Sequence, residues 1–100
     1  MLEAVLQKLI LAQLSDEIEG VWVWRNNSGA ASSQGRLVKF GLPGQADISG
    51  ILRGGRRLEI EVKTETGIVS VAQQRFGQAI TMAGGLYILA RSAEACLSEI

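Results

Sequence analysis

The chain has 100 residues, of which 47% are hydrophobic, and it has a formal net charge of zero, no histidine and one cysteine. This length fits one domain, residues 1–100, built around a single core. The composition excludes imidazole metal sites, catalytic triads that use histidine, and an intramolecular disulfide bond.

The apolar residues lead to expectations about location and partners. Cys96 is predicted to be a small, buried, apolar thiol. No apolar run approaches the length of a membrane span, and the N-terminus lacks the features of a signal peptide, so we expect a cytoplasmic protein with no membrane partner. The hydrophobic content is high for so small a domain, and we therefore expect part of the apolar surface to meet a second chain.

The first predicted element is an amphipathic helix over residues 2–18. Glu3 stands near its start, where the helix dipole favours a carboxylate. The apolar residues of this segment follow the i, i+3, i+4, i+7 spacing of one helix face and are Leu2, Val5, Leu6, Leu9, Ile10 and Leu14.

Strands and loops follow this helix. Residues 21–25, "VWVWR", predict a strand with its valines on one face and its tryptophans on the other, and both faces need cover. Residues 26–35 are small and polar and predict a loop long enough to be functional. A short strand is predicted over residues 36–40, and the glycines and proline of residues 41–45 indicate a tight loop.

The second half of the chain begins with a predicted hairpin, in which strands over residues 46–52 and 57–63 are joined by "RGG". A helix capped by Ser70 follows, with Val71, Phe76, Ala79 and Ile80 expected to face inward. A buried strand over residues 86–90 and a short helix over residues 92–100 complete the order α-β-β-β-β-α-β-α, which predicts an α/β domain with a mixed sheet.

Residues 57–63 alternate between an apolar face and a charged face, and the charged face carries Glu59, Glu61 and Lys63. A hairpin brings the start of its first strand beside the end of its second, so we expect Asp47 to lie near Glu61 and Lys63. Two carboxylates without a histidine suit a hard cation such as Mg²⁺ or Mn²⁺. A lysine on the same face can orient a water molecule or offset the charge on a phosphate.

Basic residues concentrate in the middle of the chain, where residues 25–63 carry a net charge of +4. A basic surface around an acidic cluster is what a DNA backbone approaching a bound divalent ion requires. From charge alone, a solvated loop face accounts for the distribution equally well. The candidate DNA-binding residues are Arg25, Arg36, Lys39 and Arg53.

Four stretches of the chain, "GLPGQADISGIL", "LEIEVKTETG", Ser70-x-x-Gln73 and "GGLYILARS", resemble in order and spacing the virus-type replication-repair nuclease (VRR-Nuc) family of PD-(D/E)xK nucleases, in its stand-alone phage or prophage type. The N-terminal helix with its acid and "WRNNSGA" extend the resemblance over most of the chain. Ala46 departs from the family pattern, where a proline commonly stands, and "VA" at residues 71–72 replaces a common Pro-Glu. The resemblance implies a restriction-endonuclease-like core.

The same resemblance implies a set of site residues. It assigns the metal to Asp47, Glu61 and the Val62 carbonyl. Glu59 competes with Glu61 for the ligand role, and Gln74 competes with Gln73. The family pattern favours Glu61 and Gln73, which leaves Glu59 as an outer support or as a partner of Arg57. The implied catalytic residues are Glu3, Asp47, Glu61, Lys63 and Gln73.

The implied activity is Mg²⁺- or Mn²⁺-dependent hydrolysis of DNA phosphodiesters, on branched DNA such as Holliday junctions, by a homodimer. A sequence-specific restriction-type nuclease is one alternative, but the chain has little spare length for an element that reads the major groove. A non-catalytic DNA-binding or assembly module with a degenerate site is another. The complete acid-acid-lysine set argues against that module.

Overall fold

The computed structural model describes residues 2–27 and 29–100, and for residues 29–33 and 37–40 it describes the backbone alone. The predicted order of helices and strands is confirmed, with one strand added. In chain order the elements are α1 Glu3–Glu17, β1 Trp22–Arg25, β2 Gly29–Ser33, β3 Arg36–Phe40, β4 Ile48–Ile51, β5 Arg57–Val62, α2 Val71–Met82, β6 Leu86–Ala90 and α3 Ala93–Ser98.

Four strands form a mixed sheet in the order β1-β4-β5-β6. Strands β1 and β4 pair antiparallel, and so do β4 and β5, which form the predicted hairpin. Strands β5 and β6 pair parallel, because α2 carries the chain back across the sheet between them. The predicted mixed sheet flanked by helices is therefore confirmed.

The hydrophobic core lies on one face of the sheet, under α1 and α3. Alternation along β5 sends Leu58, Ile60 and Val62 to this face, where they meet the inward side of α1. The predicted burial of Cys96 is confirmed, and burial raises the pKa of its thiol to about 11. The buried core residues are Leu6, Ile10, Leu14, Ile48, Leu58, Ile60, Val62, Ile88, Ala90, Ala93 and Cys96.

The prediction of a loop over residues 26–35 is wrong in part, because β2 lies within it and pairs with β3 as a separate two-stranded ribbon. The two strands are joined by Gln34 and Gly35, whose φ angles of 50° and 75° are those of a type I′ turn. This turn matches the twist of a hairpin, so it supports pairing even though the small polar residues of β2 have low strand propensity.

Three residues of the predicted apolar stripe of the N-terminal helix are exposed, in agreement with the expectation that the domain cannot cover all of its apolar surface. Leu2 is 74% exposed, Val5 is 50% exposed and Leu9 is 36% exposed, because the sheet covers only one side of the apolar stripe. The tryptophan face of β1 is also not fully covered, since Trp22 is 76% exposed. The exposed residues of the N-terminal helix and Trp22 are therefore two separate apolar surfaces without cover in the part of the chain that the structure describes.

Helix α2 packs against the sheet through a small residue. Gly77 is its buried position, and a Cβ there would lie 2.7 Å from the ring of Tyr87, so only glycine allows this approach. Val71 and Ala79, which were expected to face inward, are exposed. Within residues 2–27 and 29–100, no helix combines the length and apolar content needed to cross a membrane.

Candidate active site

Asp47 and Glu61 meet at one end of the hairpin, as predicted. The pairing of Ile48 with Ile60 starts the β4–β5 ladder and places Asp47, one residue earlier, beside Glu61. The Val62 N–H donates to Asp47 Oδ2 at 2.8 Å. The Asp47 carboxylate therefore accepts the hydrogen bond that a backbone carbonyl would accept if the β4–β5 ladder continued. The N–H and C=O of one strand residue point the same way, so the Val62 carbonyl also faces the Asp47 side of the strand.

Glu61 is buried, with 2% of its surface exposed. Its Oε1 accepts a hydrogen bond from Gln73 Nε2 at 2.8 Å, whereas its buried Oε2 has no partner among the described residues. Burial, followed by the neighbouring charge of Asp47, raises the pKa of Glu61 to about 8. The ionised form of this side chain is therefore destabilised at neutral pH, and a bound cation would stabilise it.

Gln73 is oriented by the cap of α2. The Ser70 N–H donates to Gln73 Oε1 at 2.8 Å, and the Gln73 N–H donates back to Ser70 Oγ at 3.1 Å, which completes a capping box. Because the amide oxygen is used in the cap, the Nε2 group points toward Glu61. The competing residue Gln74 is exposed, so the structure places Gln73 and not Gln74 at the carboxylates.

The loop before Asp47 packs against the first turn of α2. Gly44 has a φ angle of 70°, and a Cβ on it would overlap the Ala72 carbonyl oxygen. Only glycine allows both this backbone conformation and this close approach. The contact holds Gln73 and Asp47 in one local unit.

Lys63 and Glu3 complete the predicted set. Lys63 lowers the pKa of Glu61 and Glu3 raises it, so both charges lie within electrostatic range of the site. Two salt bridges occur among residues 2–27 and 29–100, and Lys63 takes part in neither. Glu3 is exposed, and its charge has the smallest of the named effects on the pKa of Glu61.

Glu59 is not available as a ligand, because its charge is already compensated. It is 1% exposed, and Arg57 Nε donates to its Oε1 at 2.7 Å. Ser49 Oγ donates to its Oε2 at 2.7 Å. The Arg57 guanidinium lies 5.5 Å from the ring centroid of Trp24, a cation–π contact. The interpretation of Glu59 as a partner of Arg57 is confirmed.

Two neighbours of the site were not predicted from the sequence. Asn26 Nδ2 donates to the Ala46 carbonyl at 2.9 Å and to Ser49 Oγ at 2.6 Å. Tyr87 has a buried hydroxyl with no partner in the described part of the chain. Burial, then the charges of the nearby carboxylates, raises the pKa of Tyr87 to about 12. The signals for Asn26 were its position directly after a predicted strand and its place in the stretch "WRNNSGA", which was part of the family resemblance.

The four candidate DNA-binding residues lie at different distances from the carboxylates. Arg25 pairs with Ile48 at the end of β1, near Asp47 along the backbone, but this register puts it on the same sheet face as Ile48 and Ile60, opposite to the face of Glu61. Arg36 is exposed after the ribbon turn, and the side chain of Lys39 lies outside the described residues. Arg53 lies in the turn at the opposite end of the hairpin, 3.7 Å from Glu19, so the structure does not bring it to the site.

The donors at the site fit a hard cation with few protein ligands. No group of three or more His, Cys, Asp or Glu side chains within residues 2–27 and 29–100 is arranged to hold a metal ion. The available donors are the carboxylates of Asp47 and Glu61 and the carbonyl of Val62. Mg²⁺ is commonly held by one or two carboxylates, with water and substrate phosphate as further ligands. The Oε2 atom of Glu61, which has no partner within the described part of the chain, supports this fit.

A comparison of the chain with models of protein families, with curated proteins and with solved structures found no match.

Proposed function

We propose that the protein is a cytoplasmic, Mg²⁺- or Mn²⁺-dependent DNA endonuclease with a restriction-endonuclease-like core, acting on branched DNA such as Holliday junctions. The observation that carries the proposal is the buried Glu61 carboxylate beside Asp47, which has a pKa of about 8 and one oxygen without a partner among the residues that the structure describes. Burying a carboxyl group in this way costs stability, and a core serves the fold better with an apolar residue. A cation site would explain why the carboxylates of Asp47 and Glu61 lie together at this position.

Each residue of the site has a separate role in this proposal. Asp47, Glu61 and the Val62 carbonyl would hold the ion, whose chemistry is to lower the pKa of a bound water and neutralise phosphate charge. Gln73 holds Glu61 in place by its hydrogen bond. The Lys63 ammonium, which has no carboxylate within salt-bridge distance among the described residues, orients the attacking water or offsets charge on the phosphate.

The charge between β1 and the site supports a nucleic-acid substrate. Residues 25–46 contain Arg25, Arg36 and Lys39 and no acidic residue. The β2–β3 ribbon lies within this segment, which joins Arg25 at the end of β1 to Asp47, the residue before β4. A phosphate backbone that approaches along the ribbon would meet cations before it reaches the acids.

Replacing Mg²⁺ by Ca²⁺ should separate DNA binding from cleavage. Ca²⁺ accepts the same oxygen ligands, but its flexible coordination geometry positions the attacking water poorly. We expect a four-way junction to be bound in both ions and cut only in Mg²⁺ or Mn²⁺, as measured by gel shift and by denaturing gels. Equal cleavage rates in Ca²⁺ and Mg²⁺ would contradict the proposed mechanism.

We further propose a homodimer, because symmetric cutting of a four-way junction needs two sites related by a two-fold axis. The exposed apolar residues of α1 and the exposed Trp22 are the surfaces that support it. Light scattering at micromolar concentration should give twice the chain mass of 10.7 kDa. Val5→Glu or Trp22→Glu should give the monomer, with Lys8→Glu on α1 as the control. If the wild type is a monomer and still cuts both strands of a junction, the proposed homodimer is wrong, whereas the proposed nuclease activity is not contradicted.

A further inference from the structure

Asn26 makes three hydrogen bonds to the segment that carries Asp47. Its backbone N–H donates to the Asp47 carbonyl at 2.9 Å. Its side-chain Nδ2 donates to the Ala46 carbonyl at 2.9 Å and to Ser49 Oγ at 2.6 Å. The residue directly after β1 thus holds the carbonyl groups of the two peptides that flank the Asp47 Cα, one before it and one after it.

The orientation of the Asn26 amide is set by the buried Glu59. The Glu59 carboxylate is paired with Arg57 and only accepts hydrogen bonds, so the Ser49 hydroxyl must give its proton to Glu59. The Ser49 oxygen is then left to accept from Asn26. The Ala46 carbonyl also only accepts, so both neighbours require the NH₂ group of Asn26.

Asp47 depends on this support because it lies outside the ladder. The β4–β5 pairing begins at Ile48, so no backbone hydrogen bond of that ladder fixes residue 47 from the β5 side, and its backbone is held from the side of Asn26. We infer that Asn26 is a positioning residue, which holds the Asp47 carboxylate against the Val62 N–H and beside Glu61. Its importance for cleavage rests on the proposed function, whereas its effect on the position of Asp47 does not.

The chain offers a matched pair of variants for the test. Asn26→Asp is nearly isosteric, but it puts an oxygen where the NH₂ group faces the Ala46 carbonyl. Asn27→Asp makes the same charge change one residue later, at an exposed side chain. The readout is the amide hydrogen exchange of Val62, whose N–H donates to Asp47, measured relative to the Ile60 amide of the same strand.

We expect the exchange of Val62 to accelerate by about tenfold in Asn26→Asp, the effect of losing one hydrogen bond, and to stay unchanged in Asn27→Asp. Asn26→Ala removes the donor without adding charge and is measured in parallel, in case the aspartate variant does not fold. Unchanged exchange of Val62 in the folded Asn26 variants overturns the inference.

Cleavage kinetics give a second readout. The Asn26 variants should lower kcat and leave KM for DNA equal to that of Asn27→Asp, because the residue acts through Asp47 and not on the DNA. Equal kcat values for Asn26→Asp and Asn27→Asp overturn the role in catalysis. If the wild type cuts no DNA, the proposed function fails, and the exchange of Val62 still decides whether Asn26 positions Asp47.

Discussion

Asp47→Asn and Lys63→Ala should each reduce DNA cleavage by about a thousandfold or more, while leaving the fold intact. Asparagine at position 47 keeps an oxygen that accepts from the Val62 N–H but loses the negative charge that would hold a cation. Lys63 is half-buried at the end of β5 and makes no salt bridge among residues 2–27 and 29–100, so its removal breaks no ion pair there. Cleavage rates and thermal unfolding of the purified variants measure the two effects.

Two exposed residues of α1 provide the matched controls. Asp16→Asn and Lys8→Ala make the same changes in charge away from the site, and both should cut DNA at the wild-type rate. Near wild-type cleavage by Lys63→Ala or Asp47→Asn would show that the assigned site is wrong.

Glu61→Gln should abolish cleavage and yet stabilise the metal-free protein at alkaline pH. The pKa of Glu61 is about 8 in the folded protein against 4.5 as its ordinary value, so the folded state holds the proton more tightly. This contribution to stability is complete below about pH 4.5 and is lost as the pH rises through 8. Glutamine does not titrate, and it keeps an acceptor for Gln73 Nε2.

The free energy of unfolding of wild type and Glu61→Gln should therefore be similar near pH 5 and should diverge by pH 9. At about 1.4 kcal/mol for each pKa unit, the variant should be more stable at pH 9 by up to about 5 kcal/mol. Urea denaturation with a chelator present measures this difference. Glu17→Gln, at an exposed position at the end of α1, should follow the wild-type curve.

Added Mn²⁺ should reverse the order of stability near pH 8, because an ion that binds only the folded wild type stabilises it. Parallel pH curves for wild type and Glu61→Gln, with no effect of Mn²⁺ on either, would contradict the assignment of Glu61 to a cation site.

The pairing of Asp47 with Glu61 was predictable because it depends on local rules. Alternation along β5 assigns each residue to a face, and a hairpin with a short turn fixes which residues stand opposite each other. Ser70-x-x-Gln73 is likewise a recognisable capping pattern, although the hydrogen bond from Gln73 to Glu61 depends on how α2 docks on the sheet.

The remaining features depend on packing between distant parts of the chain. The hydrogen bonds of Asn26 join residues that are 20 or more positions apart, and no periodic pattern marks them. The exposure of Val5 and Leu9 on α1 reflects how much of an apolar stripe one small sheet can cover, which the helical spacing alone does not reveal. Strand β2 was missed because "GAASS" has low strand propensity, although the Gln34-Gly35 turn offered a signal.

The most direct test of the central claim is a DNA cleavage assay with Mg²⁺ or Mn²⁺. Its end-labelled substrates are a four-way junction, a flap, a fork and a matched duplex, and the Lys63→Ala protein is assayed in parallel. The proposal predicts that the wild type cuts branched DNA faster than the matched duplex, and that Lys63→Ala leaves every substrate intact. Failure of the wild type to cut any of the four substrates, or equal cutting by Lys63→Ala, would contradict it.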